Sequence, residues 1–449
     1  ENLLAALFDA DDSFFLVNGT SQGVQAMIFY SCAPQEKIII PRNAHKSTIG
    51  ALILSGAVPI YIQPEVNNEL GIAMGVSVDK MKKAILEHDD AKAVFVVHPT
   101  YYGAVSDLRT ISNIAHSHNM LVLADEAHGC HLKFNFELPD SAMESGADIS
   151  AVSIHKTGGS MTQSSALLIK NKRVDPLFMK TTLNLTQTTS ASYVLMASLD
   201  MARKQLAVNG HKMIKEVLDL ARYARAKINE IDGFYAFGPE MAGTPGVYEY
   251  DETKLGINVK RLGLSGYDME SILRKEYNIQ IEMADFYNIL AIVSLGDNKT
   301  NIDKLISALK DISLKRGIHN IKNTVITPPE LKLVTSPREA YYANLPAGRY
   351  VFSVRITDND QSILESQESI NIIVEPKPWQ TWWARCIYFL IISGIVVLVF
   401  RGLWHIRKER ELAYLAEMQK QHEQKTNEMN MRFFTNISHV LNSCEILVN

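Results

Sequence analysis

Ser153-Ile-His-Lys-Thr-Gly-Gly159 sets a hydroxyl, an imidazole and an amine between an apolar run, Ala147 to Ile154, and a pair of glycines. An apolar strand that ends in a lysine and runs into a flexible turn can hold the amine inside a pocket. Burial there disfavours the ammonium form and lowers the lysine pKa, which is the condition for a Schiff-base nucleophile. Taken alone, the same residues more readily describe a strand-end lysine that reaches solvent. The segments upstream decide between the two.

Phe14 to Val17 reads as a short strand, followed by Asn18-Gly-Thr-Ser-Gln-Gly23 and a helical pattern from Val24 to Tyr30. A glycine-containing turn that opens a helix offers free N–H groups and the positive end of the helix dipole to a phosphate, with the Thr20 and Ser21 hydroxyls as further donors. A plain N-cap uses the same residues. Lys37 to Ile40 is the next strand and leads through Pro41-Arg-Asn-Ala-His-Lys46, so His45 follows a strand end, where open α/β sheets place their ligands. A flat imidazole there can stack on an aromatic cofactor, although a lone histidine is more often a surface residue. Val58 to Ile62 and Ala93 to Val97 continue the alternation, the latter running into the pocket-type turn His98-Pro-Thr-Tyr-Tyr-Gly103.

Met120 to Ala124 leads to Asp125-Glu-Ala-His-Gly129. A carboxylate at the end of a buried parallel strand is there to meet a cation. The pyridine nitrogen of pyridoxal phosphate is such a cation, and Ala127 is small enough to lie under its ring. Asp-Glu-Ala-His also occurs as a magnesium motif, but no Gly-x4-Gly-Lys-Ser/Thr loop precedes it, which discounts that reading. A phosphate-binding helix start, a ring-stacking histidine, a strand-end aspartate and a strand-end lysine, in that order, predict a doubly wound α/β sheet whose strand ends converge on one cofactor. The interval from Asp125 to Lys156 allows one helix and one further strand. Thr186 to Ser190 precedes a long helical stretch, His211 to Ile231 reads as an amphipathic helix, and Leu255 to Arg316 reads as strand, helix, strand, strand, helix, a small α+β domain.

The bulk numbers agree with an enzyme of this kind. With 449 residues, 47% of them hydrophobic, two or three domains are expected. A net charge of −4 gives no reason to invoke nucleic acid. The four cysteines are scattered without metal-like spacing, so reduced thiols and no metal are expected. The chain opens on Glu1 rather than methionine, and a truncated N-terminus is expected.

Phe14-Phe-Leu-Val-Asn-Gly-Thr-Ser21, Pro41-Arg-Asn-Ala-His-Lys-Ser47, Pro99-Thr-Tyr-Tyr-Gly103, Asp125-Glu-Ala-His-Gly129, Ser153-Ile-His-Lys-Thr157, Thr188-Thr-Ser190 and Pro337-Arg-Glu-Ala-Tyr-Tyr-Ala343 together resemble the fold-type I Orn/Lys/Arg decarboxylases, over Glu1 to about Ala343. The resemblance implies pyridoxal 5'-phosphate, with Lys156 as the Schiff-base lysine, Asp125 on the ring nitrogen and His45 stacked on the ring. It also implies Thr20, Ser21, Ser153 and His155 around the phosphate, Ala127 below the ring, and His128 at the ring and substrate edge. The implied reaction is α-decarboxylation of lysine, ornithine or arginine in the cytoplasm by a homodimer or larger assembly. An aminotransferase or aldolase of the same fold is the rival. Ala191 stands where the family usually has proline and Cys130 where it usually has alanine, neither in the proposed chemistry. The expected domains are a large cofactor domain over 1–205 and, over 206–343, a small α+β domain with the start of a truncated C-terminal region.

From Asn344 the character changes. Gly348-Arg-Tyr-Val-Phe-Ser-Val-Arg355 and Ser369 to Val374 alternate as a hairpin would, a β-type remnant over 344–378. All four tryptophans lie between Trp379 and Trp404, around the uncharged run Cys386 to Phe400. With flanking arginines this predicts a membrane span over 384–404. Arg401, Arg407, Lys408 and Arg410 place the C-terminal segment, 405–449, on the cytoplasmic side. Met431-Arg-Phe-Phe-Thr-Asn-Ile-Ser-His439 resembles the phosphoacceptor box of membrane-spanning sensor histidine kinases, with His439 at the phosphorylated position. Val440-Leu-Asn-Ser-Cys-Glu445 replaces the family's Glu-Leu-Arg-Thr-Pro, so no kinase activity is expected, and a sensor fragment is the alternative of another class. A cytosolic enzyme joined to a segment whose flanking charges put the enzyme outside reads as a chimera. Amplification of the source DNA across codons 335–355 is expected to give no single product, and a single product would refute that origin.

Overall fold

The computed structural model describes residues 1–316, the strand pair 348–357 and 363–374, and scattered helical residues between 393 and 432. It divides into two units, Glu1–Ile326 and Thr327–Asn449.

The first unit is built on a seven-stranded sheet. Its strands are β1 (Asp12–Leu16), β2 (Lys37–Pro41), β3 (Val58–Ile62), β4 (Ala93–Val97), β5 (Leu121–Glu126), β6 (Ile149–Val152) and β7 (Ser165–Ile169). Their order is β1-β7-β6-β5-β4-β2-β3. β6, β5, β4, β2 and β3 run parallel, while β7 is antiparallel to both its neighbours. Ile38, Ile39, Ile40, Val94 and Phe95 are fully buried, as strands covered on both faces require. Alternate residues divide between two cores: Ile39, Val94, Val96, Val122 and Ala124 face one, and Ile38, Ile40, Phe95, Leu123 and Ala151 the other.

The helices that matter for the site are α1 (Thr20–Ser31), α2 (Lys46–Ser55), α3 (Val78–Glu87), α4 (Leu108–Ser117), the single turn α5 (Ile154–Thr157), α6 (Pro176–Thr186) and α7 (Tyr193–Asn229). Gly23 lets α1 lie directly on the sheet: a Cβ there would come within 2.9 Å of Leu16 Cδ1 and 3.1 Å of Ala151 Cβ. A second, four-stranded antiparallel sheet has the order β8-β9-β11-β10, from β8 (Tyr235–Phe237), β9 (Lys254–Asn258), β10 (Met283–Ala284) and β11 (Asn288–Ile292). α8 (Gly266–Tyr277) and α9 (Lys299–Arg316) pack on it with the C-terminal half of α7. The expected strand, helix, strand, strand, helix order is thus present.

Three local expectations differ from the structure. Lys156 lies not at a strand end but in α5, because β6 stops at Val152 and the chain turns once before Gly158 and Gly159. The connection from β5 to β6 holds only a 3-10 turn, Leu132–Phe134, and no α-helix. It is instead anchored to the core, with the Ala142 N–H donating to Glu126 at 2.9 Å. α7 is one helix of 37 residues rather than two segments. Gly210 does not break it, since that glycine marks a close approach in which a Cβ would lie 2.7 Å from the Phe134 ring. The helix runs unbroken through position 205.

In the second unit, β12 (Gly348–Thr357) pairs antiparallel with β13 (Ile363–Val374), Gly348 opposite Val374. The hairpin is therefore present and longer than its pattern suggested. Among the described residues no helix is long and apolar enough to cross a membrane. The span expected over 384–404 lies outside the described residues except for Ser393, Gly394, Arg401 and Gly402. The motif Pro337–Ala343 and His439 also lie outside them.

Candidate active site

The register of the central strands places the acid. Asp125 is opposite Val97 of β4 and Ala151 of β6, at the C-terminal edge of the sheet. The N-termini of α1 and α2 and the turn α5 open onto the same edge, enclosing a cavity of about 630 Å³. All nine residues singled out from the sequence line it: Thr20, Ser21, His45, Asp125, Ala127, His128, Ser153, His155 and Lys156.

Lys156 Nζ is 2.9 Å from His128 Nε2. Burial pushes the Lys156 pKa down, with Asp125 and Glu282 opposing and Lys254 reinforcing. Burial, then the charges of Lys254 and Lys156, hold His128 well below the usual histidine range. A neutral imidazole has one donor and one acceptor nitrogen, and Nε2 is the one that meets the amine. Tyr101 packs its ring on that of His128, centroids 4.3 Å apart. On the far wall, the Asp125 carboxylate is buried and accepts from the Ala127 N–H at 3.1 Å. Burial raises its pKa, while the Ala127 N–H, His45 and Lys156 lower it.

His45 is the N-cap of α2. Its Nδ1 accepts from Ser47 N–H at 3.2 Å, which leaves the ring proton on Nε2. Burial lowers its pKa as well. At the other end, Gly19 is the N-cap of α1, with φ of 75°, and no side chain caps the first-turn N–H groups. Thr20 Oγ1 meets Ser153 Oγ and, at 2.9 Å, Ser165 Oγ. Three hydroxyls that share two contacts leave one O–H hydrogen for another acceptor. Ser21 is exposed beside them. His155 donates Nδ1–H to the Ser164 carbonyl at 2.9 Å, which fixes its ring at the cavity wall.

Pyridoxal phosphate fits these residues on two observations. The uncapped start of α1, with a spare hydroxyl hydrogen, suits a phosphate. The buried Asp125 carboxylate, with Ala127 N–H as its hydrogen-bond donor, suits a protonated ring nitrogen, which would offset the cost of its burial.

The strand's alternation sends Glu126 the other way. It accepts from Ser150 Oγ at 2.7 Å and Ala142 N–H at 2.9 Å in the core, away from the cavity, and burial pushes its pKa up to about 7. The magnesium reading of this motif needs both carboxylates on one ion, and they point apart. Among the described residues no group of side chains could hold a metal.

Sequence reading missed a buried cluster behind His128. Asp251, Thr253 and Lys254 come from the start of β9, and His131 from the β5–β6 connection. Asp251-Glu-Thr-Lys254 has the composition of an exposed charged turn, and no periodicity marks it as core. Asp285 was also missed. It lines the cavity and accepts from the Tyr102 hydroxyl.

Glu126 yields a pH prediction. Its folded pKa is raised, so its contribution to stability is complete below about 4.5 and is lost as the pH rises to about 7. Glu126→Gln carries no such loss. The melting temperature of the variant, relative to wild type, should rise between pH 4.5 and 7 and level off above. A difference that stays flat or falls over that range would contradict the assignment.

Comparison with known proteins places the chain in a family. The family profile described as Orn/Lys/Arg decarboxylase, major domain, matches residues 1–301. The arginine decarboxylase of Bacillus subtilis is 47% identical over 347 residues, covering 77% of this chain and 71% of that one. Histidine kinase P4 of Formosa agariphila is 29% identical over 194 residues, 39% of this chain and 14% of that one. The crystal structure of the lysine decarboxylase LdcF of Francisella novicida superposes with a TM-score of 0.63 at 24% identity, covering 70% of this chain. This chain spans half the length of that enzyme, and the likeness shows the fold. The chain belongs to the Orn/Lys/Arg decarboxylases, pyridoxal-phosphate-dependent lyases of the fold-type I class.

Proposed function

We propose that this chain removes the α-carboxylate of a basic L-amino acid (lysine, ornithine or arginine) as CO2 and releases the amine. The observation that carries the reading is the convergence of Lys156, His128 and Asp125 on one cavity beside the uncapped start of α1. Pyridoxal phosphate, when bound, supplies the electron-withdrawing ring that accepts the electron pair left by the departing carboxylate. Lys156 presents an amine whose burial favours the neutral, nucleophilic form. His128 Nε2, within hydrogen-bond reach, takes or returns a proton at Lys156 Nζ. Asp125 would hold a proton at the ring nitrogen, and His45 would stack on the ring. Ala127 would leave room beneath it. Thr20, Ser21, Ser153 and His155 would hold the phosphate.

A basic substrate is supported by two acidic residues, one in the cavity lining and one bonded to a lining tyrosine. Asp285 lines the cavity, and Glu282 accepts from the Tyr101 hydroxyl at 2.6 Å. Among the described residues that line the cavity there is no arginine to clamp an α-carboxylate. That favours a reaction in which this group leaves over transamination, in which it must be held. Exposed Ile53, Leu54, Leu177, Leu185 and Tyr193 support a homodimer formed through this unit.

Purified chain supplied with pyridoxal phosphate is expected to form amine and CO2 in equal amounts from one of arginine, lysine or ornithine. Lys156→Ala should lower that rate by on the order of a thousandfold or more. Keto-acid formation without CO2 would assign the rival transaminase chemistry, and CO2 release undiminished in Lys156→Ala would refute the role of the lysine.

A further inference from the structure

Lys254 is fully buried at the start of β9, where it pairs with a buried carboxylate. Its Nζ donates to the His128 carbonyl at 3.3 Å and lies 3.6 Å from an Asp251 oxygen. Asp251 is itself buried and well tied. It accepts from Thr253 N–H at 3.0 Å, from the Thr253 hydroxyl at 2.7 Å and from His131 Nε2 at 3.1 Å. A methionine of similar length would fill the same slot without the desolvation cost of an ammonium. The fold also makes room for this particular stem. Gly103, at φ of 95°, is the residue whose Cβ would come within 3.1 Å of Lys254 Cβ and Cγ. That glycine closes the turn carrying Tyr101, whose ring packs on His128. Lys254 thus touches, directly or through one residue, both supports of the histidine that meets Lys156.

We propose that Lys254 is a positioning residue for the Lys156 amine: paired with an Asp251 that His131 and Thr253 hold, it fixes the His128 backbone and sets a positive charge near the reactive nitrogen. The proposal rests on the reading of Lys156 as the reactive amine. The groups facing that nitrogen come from six segments: Asp125 at the end of β5, His128 beyond it, His45 at the start of α2, His155 in α5, Glu282 before β10, and Lys254 in β9. Glu282 and Asp125 favour the ammonium form. Lys254 is the cation among the groups named that opposes them. Removing it tips the balance toward protonation, because loss of a nearby positive charge stabilises the charged amine.

The test is the pH dependence of labelling of the full chain, freed of cofactor by hydroxylamine and dialysis, by trinitrobenzenesulfonate, with peptide mass mapping at Lys156 and at exposed Lys82 as internal control. In wild type, Lys156 should label with a midpoint below that of Lys82. If it does not, the reading of Lys156 as a reactive amine fails. In Lys254→Met the Lys156 midpoint should rise by about one pH unit, roughly a tenfold slower labelling near neutrality, with Lys82 unmoved. Lys254→Met/Asp251→Asn removes both buried charges and should shift the midpoint in the same direction, so the test holds if the single variant is too unstable to purify. A depressed wild-type midpoint that stays in place in a cooperatively melting variant would overturn the role of Lys254 while leaving that of Lys156 intact.

Discussion

The pairing of β5 with β6 is the constraint on which the site depends. Asp125 opposite Ala151 and Glu126 opposite Val152 bring two parallel strands to the same edge, one ending in an acid and the other turning at once into Lys156. A slip of one residue would exchange the faces of Asp125 and Glu126, sending the cofactor-facing carboxylate into the core. The two cores make that slip costly. Leu123 and Ala124 belong to opposite apolar layers, so the register that buries them correctly is the one that aims Asp125 at the cavity.

Electrostatics then divide the labour among groups that differ little in chemistry. Asp125 and Glu126 are neighbours in sequence, yet one sees His45 and Lys156 while the other sees Ser150 and a backbone N–H. Lys156 and Lys254 are both buried amines. Burial lowers the pKa of both; Lys254 sits 3.6 Å from an anchored carboxylate, while Lys156 lies 2.9 Å from His128 Nε2 on the cavity wall. His128 stands between them. Burial first, then Lys254 and Lys156, lower its pKa, and its carbonyl and its Nε2 are the two points at which it meets them.

Much of this was legible in the sequence, because strand ends in a parallel sheet are announced by where apolar runs stop. Asp125, His45 and the Thr20 turn each come after such a run, and each lines the cavity. Interactions between segments far apart in the chain could not be read. Nothing local marks Asp251-Glu-Thr-Lys254 as core, since its burial depends on Gly103 and His131. The continuity of α7 was hidden for a related reason: the glycine at 210 is explained by Phe134, which occupies the space a side chain there would take. The short turn α5 replaced an expected strand end because helix and strand are hard to tell apart over four apolar and polar residues before a glycine pair.

The most direct measurement is to locate the covalent attachment. The chain is loaded with pyridoxal phosphate, reduced with borohydride, digested and mapped by mass. A pyridoxyl adduct on the peptide that contains Lys156 is the predicted result. An adduct on the Lys254 peptide instead, or on neither, would contradict the assignment of Lys156 as the reactive amine.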